Sequence, residues 1–223
     1  MRVGNARYQS ASDLPAAVPV FPLAGALLLP SGRLPLNIFE PRYLAMADAA
    51  MGGDRVIGMI QPALDGALRA DGEPQLSNVG CLGRITSFNE TGDGRYMIAL
   101  DGICRFRIGS EMSVRTPYRQ CRILPFLSDL EVDQTADQVD RKALLQALRD
   151  YVSVNGLEVD WDNISRAGNA MLVNALSMMA PYGPAEKQAL LEAVDLPARA
   201  AMLVALTEIE LARDSDGASP NLQ

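Results

Sequence analysis

Residues 80–108 read GCLGRITSFNETGDGRYMIALDGICRFRI. At their centre Thr91-Gly92-Asp93-Gly94 places two glycines where a tight hairpin needs positive φ, so the flanking arms predict a pair of antiparallel strands. In the second arm Tyr96, Ile98 and Leu100 share one face at the two-residue strand period. Further on, Cys104, Phe106 and Ile108 share a face, and Arg105 and Arg107 point the other way. Asp101-Gly102 lies between the two alternations and predicts a bend or bulge there.

Outward from this hairpin, the runs VPVFPL, ALLLP, RLPLNIF, RVIGMIQP and QCRILPF are short, apolar and cut by Pro and Gly. They read as further strands of a β-rich domain. One helix interrupts them. Pro41 suits a first helical position, Tyr43, Leu44, Ala47 and Met51 recur at helical spacing, and Gly52-Gly53 ends the pattern. Because Pro41 forces Glu40 into an extended conformation, Phe39-Glu40-Pro41-Arg42-Tyr43 reads as a strand-to-helix corner. The expectation is that Phe39 and Tyr43 plug the barrel end. Arg42 pairs with Glu40 or another carboxylate as a latch, with client contact as the alternative role.

Beyond residue 130 the period becomes helical. Val139, Leu144, Leu145, Leu148, Tyr151 and Val152 form one stripe, stopped by Asn155-Gly156. Met171, Leu172, Ala175, Leu176 and Met179 form a second, stopped by Pro181-Tyr182-Gly183. Pro184 opens a short helix, and Asp195 caps a last one that runs to about Ala212. The expected organisation is a flexible arm over 1–17, a β-barrel over 18–128, an α-helical part over 129–213 and a disordered tail over 214–223.

Composition narrows the function. Of 223 residues, 48% are hydrophobic and 21% charged, as in an ordinary globular protein. The apolar run AGALLLP is far shorter than the roughly 18 residues a membrane span requires, and the N-terminus lacks a signal-peptide apolar core. Three cysteines without a CxxC pair, and no histidine, argue against a disulfide scaffold or zinc site and for a reducing cytoplasm. Residues 1–128 hold 13 Arg and 11 acids, a balance of +2, whereas residues 129–223 hold 7 basic residues and 16 acids, a balance of −9. The acidic half disfavours nucleic acid and anionic membranes.

Catalytic constellations are missing as well. There is no phosphate-binding loop, and the absence of His removes Ser-His and Cys-His chemistry. A Ser–Lys dyad would need Lys142 or Lys187, both at positions that read as solvent-facing. No catalytic, cofactor or metal residues are assigned. Asp160 and Asp162 around Trp161 read as a helix start with Trp anchoring it to the core. The methionines read mainly as core. The arginines at 95, 105, 107, 115, 119 and 122 read as a solvated sheet face, with an anion- or carboxylate-binding surface as the alternative.

Two blocks carry a family resemblance. VFPLAGALLLPSGRLPLNIFEPRYLAM (20–46) and GCLGRITSFNETGDGRYMIALDGICRFRI (80–108) resemble, in order, the two characteristic blocks of the Lon protease N-terminal (substrate-binding) domain family. The resemblance implies an α+β fold: a PUA-like β-barrel with one inserted helix, followed by a C-terminal α-helical bundle. It also implies recognition of unfolded or tagged polypeptides, or docking to a protease or chaperone partner, without hydrolysis. The chain looks like a stand-alone bacterial member without the ATPase and protease domains. Phe39, Glu40, Pro41, Arg42, Tyr43, Arg105, Phe106 and Arg107 are the motif residues that become candidates for binding or latching. The alternative is a PUA-like barrel for a small ligand or RNA.

Overall fold

The hairpin forms as the sequence predicts. In the computed structural model, which describes residues 1–131 and 133–217, strands β6 (Leu76–Glu90) and β7 (Tyr96–Glu111) pair antiparallel from Glu90↔Tyr96 to Val79↔Arg107. Gly92 and Gly94 take φ of 78° and 84°. The register slips between Cys81↔Arg105 and Gly83↔Gly102, so β7 carries an extra residue there, the bulge expected beside Asp101-Gly102.

That irregularity lets one long strand serve two neighbours. Before it, β7 pairs with β4 (Arg33–Ile38); after it, β7 pairs with β8 (Gln120–Pro125). Strand β3 (Ala17–Pro22) lies between β8 and β5 (Val56–Pro62), and β5 pairs with β6. The result is a closed five-stranded barrel of β3, β5, β6, β7 and β8, with β4 appended to the first half of β7. The β3–β5 pair is parallel and requires a crossover. The crossover contains β4 and the single inserted helix, α1 (Pro41–Met51).

Phe106 fills the barrel. Its ring is fully buried with Val18, Val20, Val56, Ile60, Leu82, Cys104 and Cys121. A Cβ added at Gly58 would stand 3.0 Å from the Phe106 ring, and one at Gly80 would stand 2.7 Å from it and 2.5 Å from the Met59 carbonyl. The aromatic therefore occupies space that two glycines leave open. Low aromatic content is compatible with a dense interior because one ring does this central filling.

The first residues differ from the loose arm expected of them. Short strands β1 (Arg2–Val3) and β2 (Ala6–Arg7) form a hairpin, and Val3, Tyr8 and Leu14 are buried in the same cluster as Phe106. Three apolar side chains spaced through a polar stretch escaped composition, which averages over them.

Among the described residues two compact units result, 1–131 with 178–192, and 133–177 with 193–217. The single boundary expected at 128/129 misses the return of α5 (Pro184–Glu192) to the barrel unit. Buried Gln61 explains that return. Its amide accepts from Gly25 N (2.8 Å) and donates to the Pro184 carbonyl (2.9 Å) and Gln188 Oε1 (3.0 Å). Gln188 donates onward to the Val79 carbonyl at 3.1 Å. A buried polar chain of this kind is stable only when its members are paired.

The second unit is built of α2 (Arg141–Val154), α3 (Trp161–Arg166), most of α4 (Asn169–Met179) and α6 (Leu196–Gly217). Asp140, Asp160 and Asp195 each accept a backbone N–H at a helix start. The α4 stripe is rotated from expectation: Leu172, Val173, Asn174 and Ser177 are buried, and Met171 and Met179 are exposed. Buried Arg199 explains why, since it donates to Asn174 Oδ1 at 2.9 Å and turns a polar residue inward. Trp161 is exposed, with the Arg149 guanidinium 5.5 Å from its ring centre, and is no core anchor. Helix α6 continues to Gly217, past the expected end at Ala212; the remainder of the expected tail, 218–223, lies outside the described residues.

Of the glycines, Gly102 is the one whose added Cβ would meet its surroundings most closely. A Cβ there would fall 2.0 Å from the Leu29 carbonyl oxygen. Gly102→Ala is therefore expected to destabilise by about 3 kcal/mol or more through overpacking against backbone, measured by urea unfolding. An unchanged midpoint would show that the 23–32 loop yields freely.

Candidate functional site

The corner at residues 38–44 forms because Pro41 occupies the first turn of α1 and Glu40 precedes it in extended conformation, with ψ of 133°. The Glu40 carbonyl accepts the first helical N–H groups, from Tyr43 and Leu44, both at 2.9 Å. Its carboxylate makes no cap and instead accepts from Arg42 Nε at 3.1 Å. Arg42 also donates Nη1 to Glu73 Oε1 at 3.2 Å and lies 4.7 Å from the centre of the Tyr43 ring. Tyr43 is buried against Phe21, with ring centres 4.2 Å apart, and burial pushes its phenol pKa up.

A second ionic group faces the same cavity. Arg119 grips Glu111 with two parallel bonds of 2.8 Å and donates Nη1 to the Pro74 carbonyl at 2.7 Å. Arg69 pairs with Glu111 and, at 2.8 Å, with Asp71. Arg42, Tyr43, Arg69, Asp71, Glu73, Glu111 and Arg119 together line a groove of about 340 Å³. Each of its three guanidinium groups has carboxylate partners, so the groove is an internally neutralised clamp. It fastens the 63–75 loop to α1 on one side and to the 111–119 segment on the other. The hydrogen bonds from Arg119 hold the Glu111 carboxyl below its ordinary value. Among the described residues, no group of three His, Cys, Asp or Glu side chains is arranged to hold a metal.

The candidate residues separate into three environments. Glu40, Pro41, Arg42 and Tyr43 form the clamp corner. Phe39, expected to plug the barrel beside Tyr43, is 61% exposed on the outside. Strand alternation accounts for it: Leu36 and Ile38 are buried, whereas Arg33, Pro35, Asn37 and Phe39 face out. Met97, paired with Asn37, is also exposed on that outer face.

Arg105, Phe106 and Arg107 do not line the groove. Phe106 is core. Arg105 is buried, which corrects the solvated-face reading; it donates Nε and Nη2 to the two Asp129 oxygens at 2.8 Å each, and Nη1 to the Leu191 carbonyl at 3.2 Å. Arg107 is exposed, 5.4 Å from the Phe126 ring centre. The six arginines consequently form no single surface: Arg95 pairs with Asp93, Arg105 with Asp129 and Arg119 with Glu111. Arg69 and Glu73 were missed because an isolated Arg or Glu in a polar loop carries no local signal of its partner.

A closed barrel with an inserted helix, its loops fastened by ion-pair clamps, and a second, helical unit define an α+β architecture. Residues 17–208 match the family model of the ATP-dependent protease La (LON) substrate-binding domain, and the chain belongs to that family. It is 29% identical over 212 residues to Lon protease 2 of Sorangium cellulosum, covering 87% of this chain and 25% of that protein. It is 24% identical over 203 residues to Lon protease of Escherichia coli K12, covering 87% and 25%. The chain thus spans about a quarter of the length of these relatives. Its fold is similar to the Lon N-terminal domain protein from Xanthomonas campestris, with a TM-score of 0.61 at 23% identity over 85% of this chain and 97% of that one. It is similar also to the N-terminal domain of Mycobacterium avium complex Lon protease, with a TM-score of 0.64 at 19% identity, covering 86% and 98%. Among the described residues, no helix is long and apolar enough to cross a membrane.

Two stability outcomes follow from the ion pairs. The Arg105 and Asp129 side chains are each 10% exposed, so Arg105→Ala or Asp129→Ala is expected to cost about 3–5 kcal/mol by stranding a buried charge. Arg107→Ala, at an exposed site, is expected to cost under about 0.5 kcal/mol; equal thermal shifts for the two arginines would contradict the assignment. For Glu111 the folded pKa is depressed. Its contribution is therefore present above the ordinary value of 4.5 and is lost as pH falls through the folded value. Glu111→Gln is expected to lower stability at neutral pH and to flatten the acid-side decline below pH 4.5, read from urea midpoints against pH.

Proposed function

We propose that this chain is a non-catalytic module that recognises polypeptides. The observation that carries the reading is the outward Phe39, an exposed aromatic on the outer face of a domain whose family is named for substrate binding. An exposed aromatic costs solubility and marks contact surfaces when it stands beside other apolar groups. Here Met97 stands on the neighbouring strand, and Met is a side chain that adapts to varied apolar partners.

The chemistry supports recognition without turnover. The chain contains no histidine, the Cys104 and Cys121 thiols are buried with pKa values pushed up by burial to about 12 and about 11, and the groove arginines are engaged by carboxylates. Client release and any hydrolysis then belong to a partner protease or chaperone, and the site of action is the cytoplasm.

Fluorescence anisotropy with labelled unfolded β-casein tests this. Saturable binding with Kd below about 1 mM is expected without nucleotide and without peptide products, and Phe39→Ala is expected to weaken it about three- to tenfold. No anisotropy change up to about 1 mM protein would overturn the reading.

A further inference from the structure

Strand β4 is bonded on one side only. Among the described residues, β7 is its sole partner, and no other strand occupies its second side. Which main-chain groups face that open side follows from Pro35. It has no N–H, yet it sits in unbroken register opposite Ala99, so its position is one whose nitrogen faces away from β7. Arg33 and Asn37 share that orientation by the two-residue period. Consistently, the Gly32 carbonyl, at an even position, accepts from Gly102 N on β7. The open side therefore presents the N–H groups of Arg33 and Asn37 and the carbonyls of Arg33, Pro35 and Asn37. Among the described residues, no hydrogen bond from outside the sheet reaches any of these five groups.

We propose that this edge takes an extended segment of an unfolded polypeptide as an added strand beside β4, with Phe39 as the adjoining apolar contact. The proposal rests on the polypeptide-recognition reading and specifies its chemistry. Only another extended backbone offers alternating donors and acceptors at the strand repeat, and main-chain bonding of this kind is largely indifferent to sequence. The outer face beside this edge carries Arg33, which pairs with Asp101 at 3.6 Å, then Pro35, Asn37 and Phe39, so it sets no strong charge requirement on the added segment.

Pro35 discriminates against the competing occupant, a second copy of this chain. Two β4 edges paired antiparallel about Pro35 would set proline opposite proline, and both central hydrogen bonds would lack a donor. A client residue opposite Pro35 supplies the N–H that its carbonyl needs. Proline on an exposed edge is a familiar guard against self-association, and here it leaves heterologous pairing open.

The test uses the whole chain and unfolded β-casein. Asn37→Pro removes one open-edge donor without touching a β7 bond, and it is expected to weaken binding about five- to tenfold while leaving the thermal midpoint near wild type. Hydrogen exchange on the wild-type chain provides a readout independent of any variant: saturation with β-casein is expected to slow the Arg33 and Asn37 amides. If casein binds but neither amide slows and Asn37→Pro binds as wild type, strand addition is overturned and the polypeptide reading stands. If casein does not bind at all, the polypeptide reading itself falls. If the two amides are already protected without casein, in a dimer that Asn37→Pro dissolves, the occupant is a second copy and the proposal is overturned.

Discussion

The close approach of Gly102 to the Leu29 carbonyl is the constraint on which the β architecture turns. Here β7 leaves β4, whose register ends at Asp101, and a few residues later, from Phe106, it pairs with β8. Two backbones can come this near only without a Cβ between them. A side chain there would push the 23–32 loop outward, and that loop carries Leu27, Leu28 and Leu29, all buried. Gly102 N donates to Gly32 and the Gly102 carbonyl accepts from Ser31, so the loop is also tied to this residue by hydrogen bonds. Packing and hydrogen bonding thus meet at one residue in mid-strand.

Because the switch divides β7, it divides the barrel unit into regions of different character. After the switch every strand has two partners, the interior closes on Phe106, and Arg105 turns inward to Asp129. Before the switch the sheet ends in β4, with polar backbone and Phe39 facing outward. A closed barrel removes edges, so a fold that uses closure for stability can display an edge only where it departs from closure. The appended strand is that departure.

The readable parts of the sequence were those with local causes. Thr91-Gly92-Asp93-Gly94 specifies its turn by the φ it needs, and Pro41 specifies the start of α1 by the N–H it lacks. The bulge follows from a break in alternation at Asp101-Gly102. Each cause acts within a few residues. What could not be read depends on partners distant along the chain. Arg105 looked like a surface residue because its burial is permitted by Asp129, 24 residues on, and by a carbonyl 86 residues on. Phe39 was misplaced for a different reason: its apolar character argued for burial, while its position in the alternation Leu36, Ile38 argued for exposure, and the alternation prevailed. Pattern outranks hydrophobicity for a strand with one buried face.

The arginines show how the same residue type is put to opposite uses. A guanidinium that accepted a client carboxylate would need free donors, and Arg69, Arg105 and Arg119 have spent theirs on carboxylates and carbonyls of the chain itself. Arg42 likewise joins α1 to the 63–75 loop. Such mutually satisfied pairs, bidentate at Arg105 and Arg119, fix geometry more than they attract ligands. Attraction is left to groups whose bonding is incomplete, and in the β4 region these are main-chain N–H and carbonyl groups beside an exposed ring. On the proposed reading, a surface made of backbone and one aromatic would select for extension and apolarity rather than for a particular sequence, the two properties that distinguish an unfolded chain from a folded one.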